Sequence, residues 1–111
     1  MAQPALTLSP RALRRDANVH AAETAESFGL AGSLSFICEC RIPGCREELR
    51  LPPADFWALS ARRNVFMVVP GHRGPADRVR ELRFGFVLVE GPREARYEHP
   101  AGLRSLLPLL G

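Results

Sequence analysis

Apolar and polar residues alternate along the chain in ways that divide it into short elements. Over residues 9–28, the apolar positions Ala12, Leu13, Ala17, Ala21, Ala25 and Phe28 recur at roughly helical intervals. That spacing predicts an amphipathic helix with a thin, alanine-rich buried face. Ser9 serves as its N-cap, Pro10 suits the first turn, and Gly29 supplies a stop. Residues 34–38 are short, apolar and partly β-branched, as expected of a strand that ends at a cysteine. A tight turn through Arg41-Ile42-Pro43-Gly44 then leads to a second strand over 47–51, closing a hairpin.

Pro52-Pro53-Ala54-Asp55 opens a second helix, with Pro53 tolerated in the first turn and Asp55 favourable beside the positive end of the dipole. Phe56, Leu59 and Trp57 face the core, and Asn64 ends the segment. A third strand over 65–69 is closed by Pro70-Gly71 just before His72. Two more strands, over 78–82 and 85–90, flank a turn at 83–85. The fold class expected is α+β: a small antiparallel sheet of hairpins with an N-terminal helix and one internal helix, stapled by a metal knuckle. Three segments follow: an N-terminal helical segment over 1–33, a Cys/His α+β core over 34–90, and a loosely attached tail over 91–111. In that tail Leu103, Leu106, Leu107 and Leu110 suit a short apolar helix face.

At 111 residues the chain suits one domain, small enough to gain from a staple. With 46% apolar and 24% charged residues it fits neither a disordered chain nor a membrane protein. All fifteen basic residues are arginine, but twelve acids are interleaved with them and the net charge is only +3, which argues weakly for nucleic-acid binding. Residues 1–10 carry no basic stretch followed by an apolar run, so no secretory signal is readable and a cytoplasmic location is expected. Thiols stay reduced there. Three cysteines within eight residues are also an odd number, which fits a disulfide framework poorly and metal or thiolate chemistry better.

Those cysteines form the one constellation that carries chemistry. Cys38-Glu39-Cys40-Arg41-Ile42-Pro43-Gly44-Cys45 places three thiols around one turn, where Pro43-Gly44 frees backbone N–H groups to face sulfur. His72 follows Pro70-Gly71 at a strand end, a position from which a side chain is aimed at a fixed point. Cys38, Cys40, Cys45 and His72 make a Cys₃His set, a closed arrangement that structural zinc prefers. Glu39, His20 and His99 are the substitutes for the fourth ligand. Arg41 and Arg46 flank the thiols and are expected to offset thiolate charge and lower thiol pKa. An iron–sulfur cluster is the weaker alternative, because the third cysteine comes early and the histidine is remote. A thiol-based redox or metal sensor is another. The plain alternative is that Cys38 and Cys45 are small buried hydrophobes and His72 an ordinary loop residue.

The residues that carry this set resemble a group of short uncharacterised proteins from high-GC bacteria. These read approximately F-x-C-E-C, four residues, C, then a helix with an E-Y-like pair, then R-F-x-V-x-P-G-H. The matching stretches are Phe36-Ile37-Cys38-Glu39-Cys40 to Cys45, Leu51, Asp55-Phe56, residues 65–72 ending in Pro70-Gly71-His72, and the closing Val87-Leu88-Val89-Glu90. Residues 15–18 match the group's N-terminal helix more loosely. The resemblance implies that the CEC and PGH segments belong to one unit and implies no activity. The chain departs from the pattern at Pro52, where a threonine cap is usual, at Phe56-Trp57 in the tyrosine region, and at Ser60, where arginine is typical. The resemblance stops at about Gly91.

The sequence holds no Gly-rich phosphate loop, no GxSxG and no HExxH, and a closed ligand set leaves a metal no place for substrate. An enzyme with a small-molecule substrate is therefore not expected. The leading expectation is a metal-binding module that mediates a protein interaction or regulation, with no membrane partner. Arg62, Arg63, Arg73, Arg78 and Arg80 are the candidate partner or nucleic-acid surface, Arg78 and Arg80 projecting from one strand face. Aromatics at 7% leave few rings for base stacking, so a protein partner outranks nucleic acid.

Overall fold

The computed structural model describes residues 9–92. The expected helix face at Leu103, Leu106, Leu107 and Leu110, the substitute ligand His99 and the opening residues read for a signal lie outside the described residues. The elements run α1 (Pro10–Ser27), β1 (Leu34–Ile37), β2 (Glu48–Leu51), α2 (Pro53–Ser60), β3 (Val65–Val68), β4 (Arg78–Arg83) and β5 (Phe86–Glu90). The class is α+β, as expected. Where one small sheet was anticipated there are two: the β1-β2 hairpin, and a three-stranded antiparallel sheet ordered β3-β5-β4.

The ends of α1 follow from local chemistry. Ser9 Oγ accepts from the Ala12 N–H at 3.1 Å, satisfying one of the first-turn donors. At the other end Gly29, with φ of +70°, donates to the Glu26 carbonyl at 3.0 Å while Leu30 donates to Ala25 at 2.9 Å. That pair of bonds is a Schellman motif, which needs the left-handed backbone that glycine adopts without steric cost.

The face that α1 buries differs from the one expected. Arg11, Ala12, Arg15, Asn18, Ala22 and Ala25 are buried, whereas Leu13 and Phe28 are exposed. Charged residues enter the interior here because each arginine meets a carboxylate in two-pronged contact, which offsets the cost of leaving water.

The apolar core gathers Phe36, Leu49, Leu51, Phe56, Leu59, Val65, Met67, Phe86 and Leu88, with Ala22 of α1. Phe36 and Phe56 stack at 4.9 Å between ring centroids. A second cluster, Cys38, Cys40, Phe66, Val68 and Val89, sits on the other face of the three-stranded sheet. All four β3 residues are buried, and successive side chains of a strand point to opposite faces, so β3 feeds both clusters. Trp57, expected in the core, is partly buried and packs against its edge. Among the described residues no helix is long and apolar enough to cross a membrane.

Candidate metal centre

Two turns of the same construction aim two of the four candidate ligands. In Ile42-Pro43-Gly44-Cys45 the Cys45 N–H donates to the Ile42 carbonyl at 3.2 Å, and Gly44 has φ of +75°. In Val69-Pro70-Gly71-His72 the His72 N–H donates to the Val69 carbonyl at 3.1 Å, and Gly71 has φ of +91°. Proline presets the first central residue and glycine supplies the positive φ that such a turn requires at the second. Each turn therefore delivers its last residue, Cys45 or His72, at a fixed angle.

Cys38 and Cys40 are placed by the segment that follows β1 and links the two sheets. The Cys38 N–H donates to Glu47, extending the β1-β2 hairpin, and the Glu39 N–H donates to Met67 of β3 at 2.8 Å. The chain thus crosses from one sheet to the other at the first cysteine. One candidate ligand atom from each of Cys38, Cys40, Cys45 and His72 lies within 4.8 Å of every other, close enough to bind a metal ion. His72 Nδ1 is 3.6 Å from Cys38 Sγ and 3.5 Å from Cys45 Sγ. Cys38 and Cys40 are buried, Cys45 and His72 partly so, and all three cysteines are free of disulfides.

Burial raises the cost of thiolates here. It pushes the Cys38 thiol up to about 12; the Val69 N–H, 3.2 Å from its sulfur, pulls it down, while Cys40 and Cys45 beside it push it further up. The expected lowering by neighbouring arginines does not govern Cys38, where burial is the largest influence and the Val69 N–H is what opposes it. A cation bound among the sulfurs would offset that cost, since metal binding deprotonates a coordinating thiol.

Glu39, a substitute ligand in the sequence reading, points elsewhere. Its carboxylate accepts from Arg15 Nε and Nη2 at 2.8 and 2.9 Å, from Asn18 Nδ2 at 2.9 Å and from the Met67 N–H at 3.0 Å. His20 is exposed on α1 and does not join the cluster. Asn18 also brackets Ile37, donating to its carbonyl and accepting from its N–H, both at 2.9 Å. Arg11 pairs with Asp77 through two bonds of 2.8 and 2.6 Å and donates to the Glu39 carbonyl at 2.7 Å. Arg11 and Arg15 lie over the Phe66 ring at 4.6 and 4.9 Å. Burial works to raise the Asp77 pKa, but the Arg11 hydrogen bond, the Gly74 N–H and the charges of Arg11 and Arg41 together hold it below the ordinary carboxylate value.

Sequence reasoning missed Arg11, Arg14, Arg15, Asn18 and Asp77. The available signal was the polar spacing itself, since Arg11, Arg15 and Asn18 stand at i, i+4 and i+7 on one helix face. Weighting apolar residues alone hid it.

Two of the five candidate surface arginines, Arg62 and Arg80, face acids. Arg62 lies 3.8 Å from Glu81, Arg80 lies 3.4 Å from Glu90, and Arg73 donates to the Asp77 carbonyl at 2.9 Å. Arg63 and Arg78 are exposed. The register of β4 on β5 shifts between Val79 and Glu81, which interrupts the alternation expected to carry Arg78 and Arg80 onto one face. No protein-family model, curated protein or solved structure matches the chain.

Proposed function

We propose that the chain is a small structural-zinc module that works by presenting a surface to a protein partner. The observation that carries the zinc reading is the pair of nitrogen-to-sulfur distances. Zinc sits ~2.3 Å from sulfur and ~2.0–2.1 Å from nitrogen, and a tetrahedron with those arms holds the two atoms about 3.5–3.6 Å apart. His72 Nδ1 stands at 3.6 and 3.5 Å from two of the sulfurs. Four donors fill the coordination sphere, so the ion staples the fold and has no open position for a substrate. The same closeness supports the implication of the high-GC bacterial resemblance that the CEC and PGH segments act as one unit.

The protein partner is supported by the exposed surface. On the β4–β5 hairpin Leu82 is 76% and Phe84 95% exposed, while Arg62, Arg80 and Arg83 already face acids. An apolar tip rimmed by self-neutralised charge suits a protein surface better than a phosphate backbone.

The test is elemental mass spectrometry of the purified protein, wild type beside His72→Ala, with a visible spectrum. One colourless zinc per chain, weakened in the variant, is the expected result. A brown sample would replace zinc by an iron–sulfur cluster. Metal-free protein would overturn the reading and put thiol reactivity first.

A further inference from the structure

Arg14 stands on α1 between Arg11 and Arg15, partly buried, and its guanidinium meets two backbone carbonyls and a sulfur. Its Nη1 donates to the Cys40 carbonyl at 2.8 Å and lies 3.4 Å from Cys40 Sγ, and its Nη2 donates to the Ile42 carbonyl at 2.8 Å. One guanidinium thus grips the loop on both sides of Arg41 and touches a candidate ligand atom as well. A planar guanidinium spreads its donors over separate nitrogens in a fixed fork that spans these acceptors, whereas an ammonium offers its three donors from a single nitrogen.

Resting on the zinc reading, the charge count gives that contact a purpose. A zinc ion with three thiolates and a neutral imidazole carries one net negative charge, partly buried. Of the two arginines adjacent in sequence, Arg46 is exposed and Arg41 acts on the Asp77 carboxylate. Arg14 places a guanidinium in hydrogen-bond contact with a sulfur of the cluster. Its helix is held against the knuckle from both sides, by the Arg11–Asp77 and Arg15–Glu39 pairs, whose side chains are 3% exposed or less. Arg14 is therefore aimed before any metal arrives, and little further ordering is needed when it does.

We infer that Arg14 is a positioning residue of the metal centre: it fixes the loop that carries Cys40 and supplies the counter-charge to the metal-bound thiolates. The N-terminal helix is on this account part of the metal site, and metal retention depends on a residue more than twenty positions away from the knuckle. Outer groups that orient metal ligands are typically worth about 10–100-fold in metal affinity.

The experiment compares wild type, Arg14→Gln, Arg14→Lys and Arg46→Gln in competition for zinc against a chromophoric chelator. The same proteins are loaded with cobalt(II) to read the sulfur-to-metal charge-transfer band. Arg14→Gln is expected to lose zinc to the chelator about 10–100-fold more readily and to shift the band, because one sulfur loses its donor. Arg14→Lys should recover part of the retention through charge without restoring the fork, and Arg46→Gln should match wild type in both readouts. Arg14→Gln matching wild type in retention and spectrum would overturn the inference, as would Arg46→Gln losing metal equally. If Arg14→Gln does not fold, wild-type retention in Arg14→Lys overturns it. A wild type that binds no zinc overturns this inference and the zinc reading together, whereas a zinc-bound wild type with indifferent Arg14 variants removes this inference alone.

Discussion

The two faces of the three-stranded sheet are held by different physics. One face packs against the apolar set of Phe36, Phe56, Leu59, Met67 and Leu88, where stability scales with area removed from water and a lost methylene leaves a cavity. The other carries Cys38, Cys40, Phe66, Val68 and Val89, with Arg11, Arg15, Glu39 and Asp77 beside them, where paired contacts offset the desolvation cost of buried charge. The apolar face tolerates conservative exchange. The polar face does not, because removing one partner strands the other in the interior.

The largest effect should come from breaking the polar face at its centre. Structural zinc contributes on the order of 10–16 kcal/mol of apparent binding free energy at neutral pH, comparable with or above the total stability of a domain this size. Cys40→Ser should therefore lower stability by several kcal/mol, seen as loss of the cooperative urea transition under conditions where the wild type stays folded. Chelation of the wild type should give the same far-ultraviolet circular dichroism as the variant. A Cys40→Ser protein with the wild-type urea midpoint would make the two faces alike and leave the cysteines as ordinary core residues.

Next in size is the Arg11–Asp77 pair, fully buried on both sides. Asp77→Asn leaves the Arg11 charge in the interior and should cost about 3–5 kcal/mol, against a smaller cost for the double change Arg11→Met with Asp77→Leu, which removes both charges. The pH dependence sharpens this. The folded carboxyl of Asp77 titrates below its unfolded value of about 3.9, so its contribution is present above that value and is lost as the pH falls through the folded one. The urea-midpoint difference between wild type and Asp77→Asn should thus hold steady near neutrality and shrink below about pH 4. A difference that persists unchanged into strong acid would assign the effect to packing.

Much of the apolar face and the cysteine-histidine grouping was legible in the sequence, and little of the arginine-carboxylate network beside it. Strand alternation, the Ser9 cap, the Gly29 stop and the two Pro-Gly turns are local, and the structure places them within a residue or two of expectation. The Cys₃His grouping was legible for the same reason, since each of its two distal ligands ends a Pro-Gly turn. Arg11, Arg14 and Arg15 were not, because a buried arginine such as Arg11 or Arg15 is rare unless paired, and the partners of all three, Asp77, Cys40 and Glu39, lie 24 to 66 positions away. The shift in β4 that breaks the Arg78–Arg80 alternation is likewise a tertiary feature, with no turn residue to announce it.

The smallest predicted effect tests how closely the polar face is packed. A Cβ added at Gly91 would lie 2.6 Å from Arg11 Nη1 and 2.7 Å from Asp77 Oδ1. Those atoms are the engaged ends of a buried ion pair, so they cannot swing aside as exposed side chains do. Gly91 is also held by its own N–H, which donates to the Asn64 carbonyl at 2.9 Å, so the backbone has little room to retreat. Gly91→Ala should accordingly lower stability by about 1–3 kcal/mol, the usual range for forcing an extra methyl into a packed interior. At Gly32, where nothing stands within 4 Å of the added atom, the same substitution should be nearly silent. If urea titration of the metal-loaded variants finds Gly91→Ala as mild as Gly32→Ala, the ion pair has slack, and the polar face accommodates change more like the apolar one.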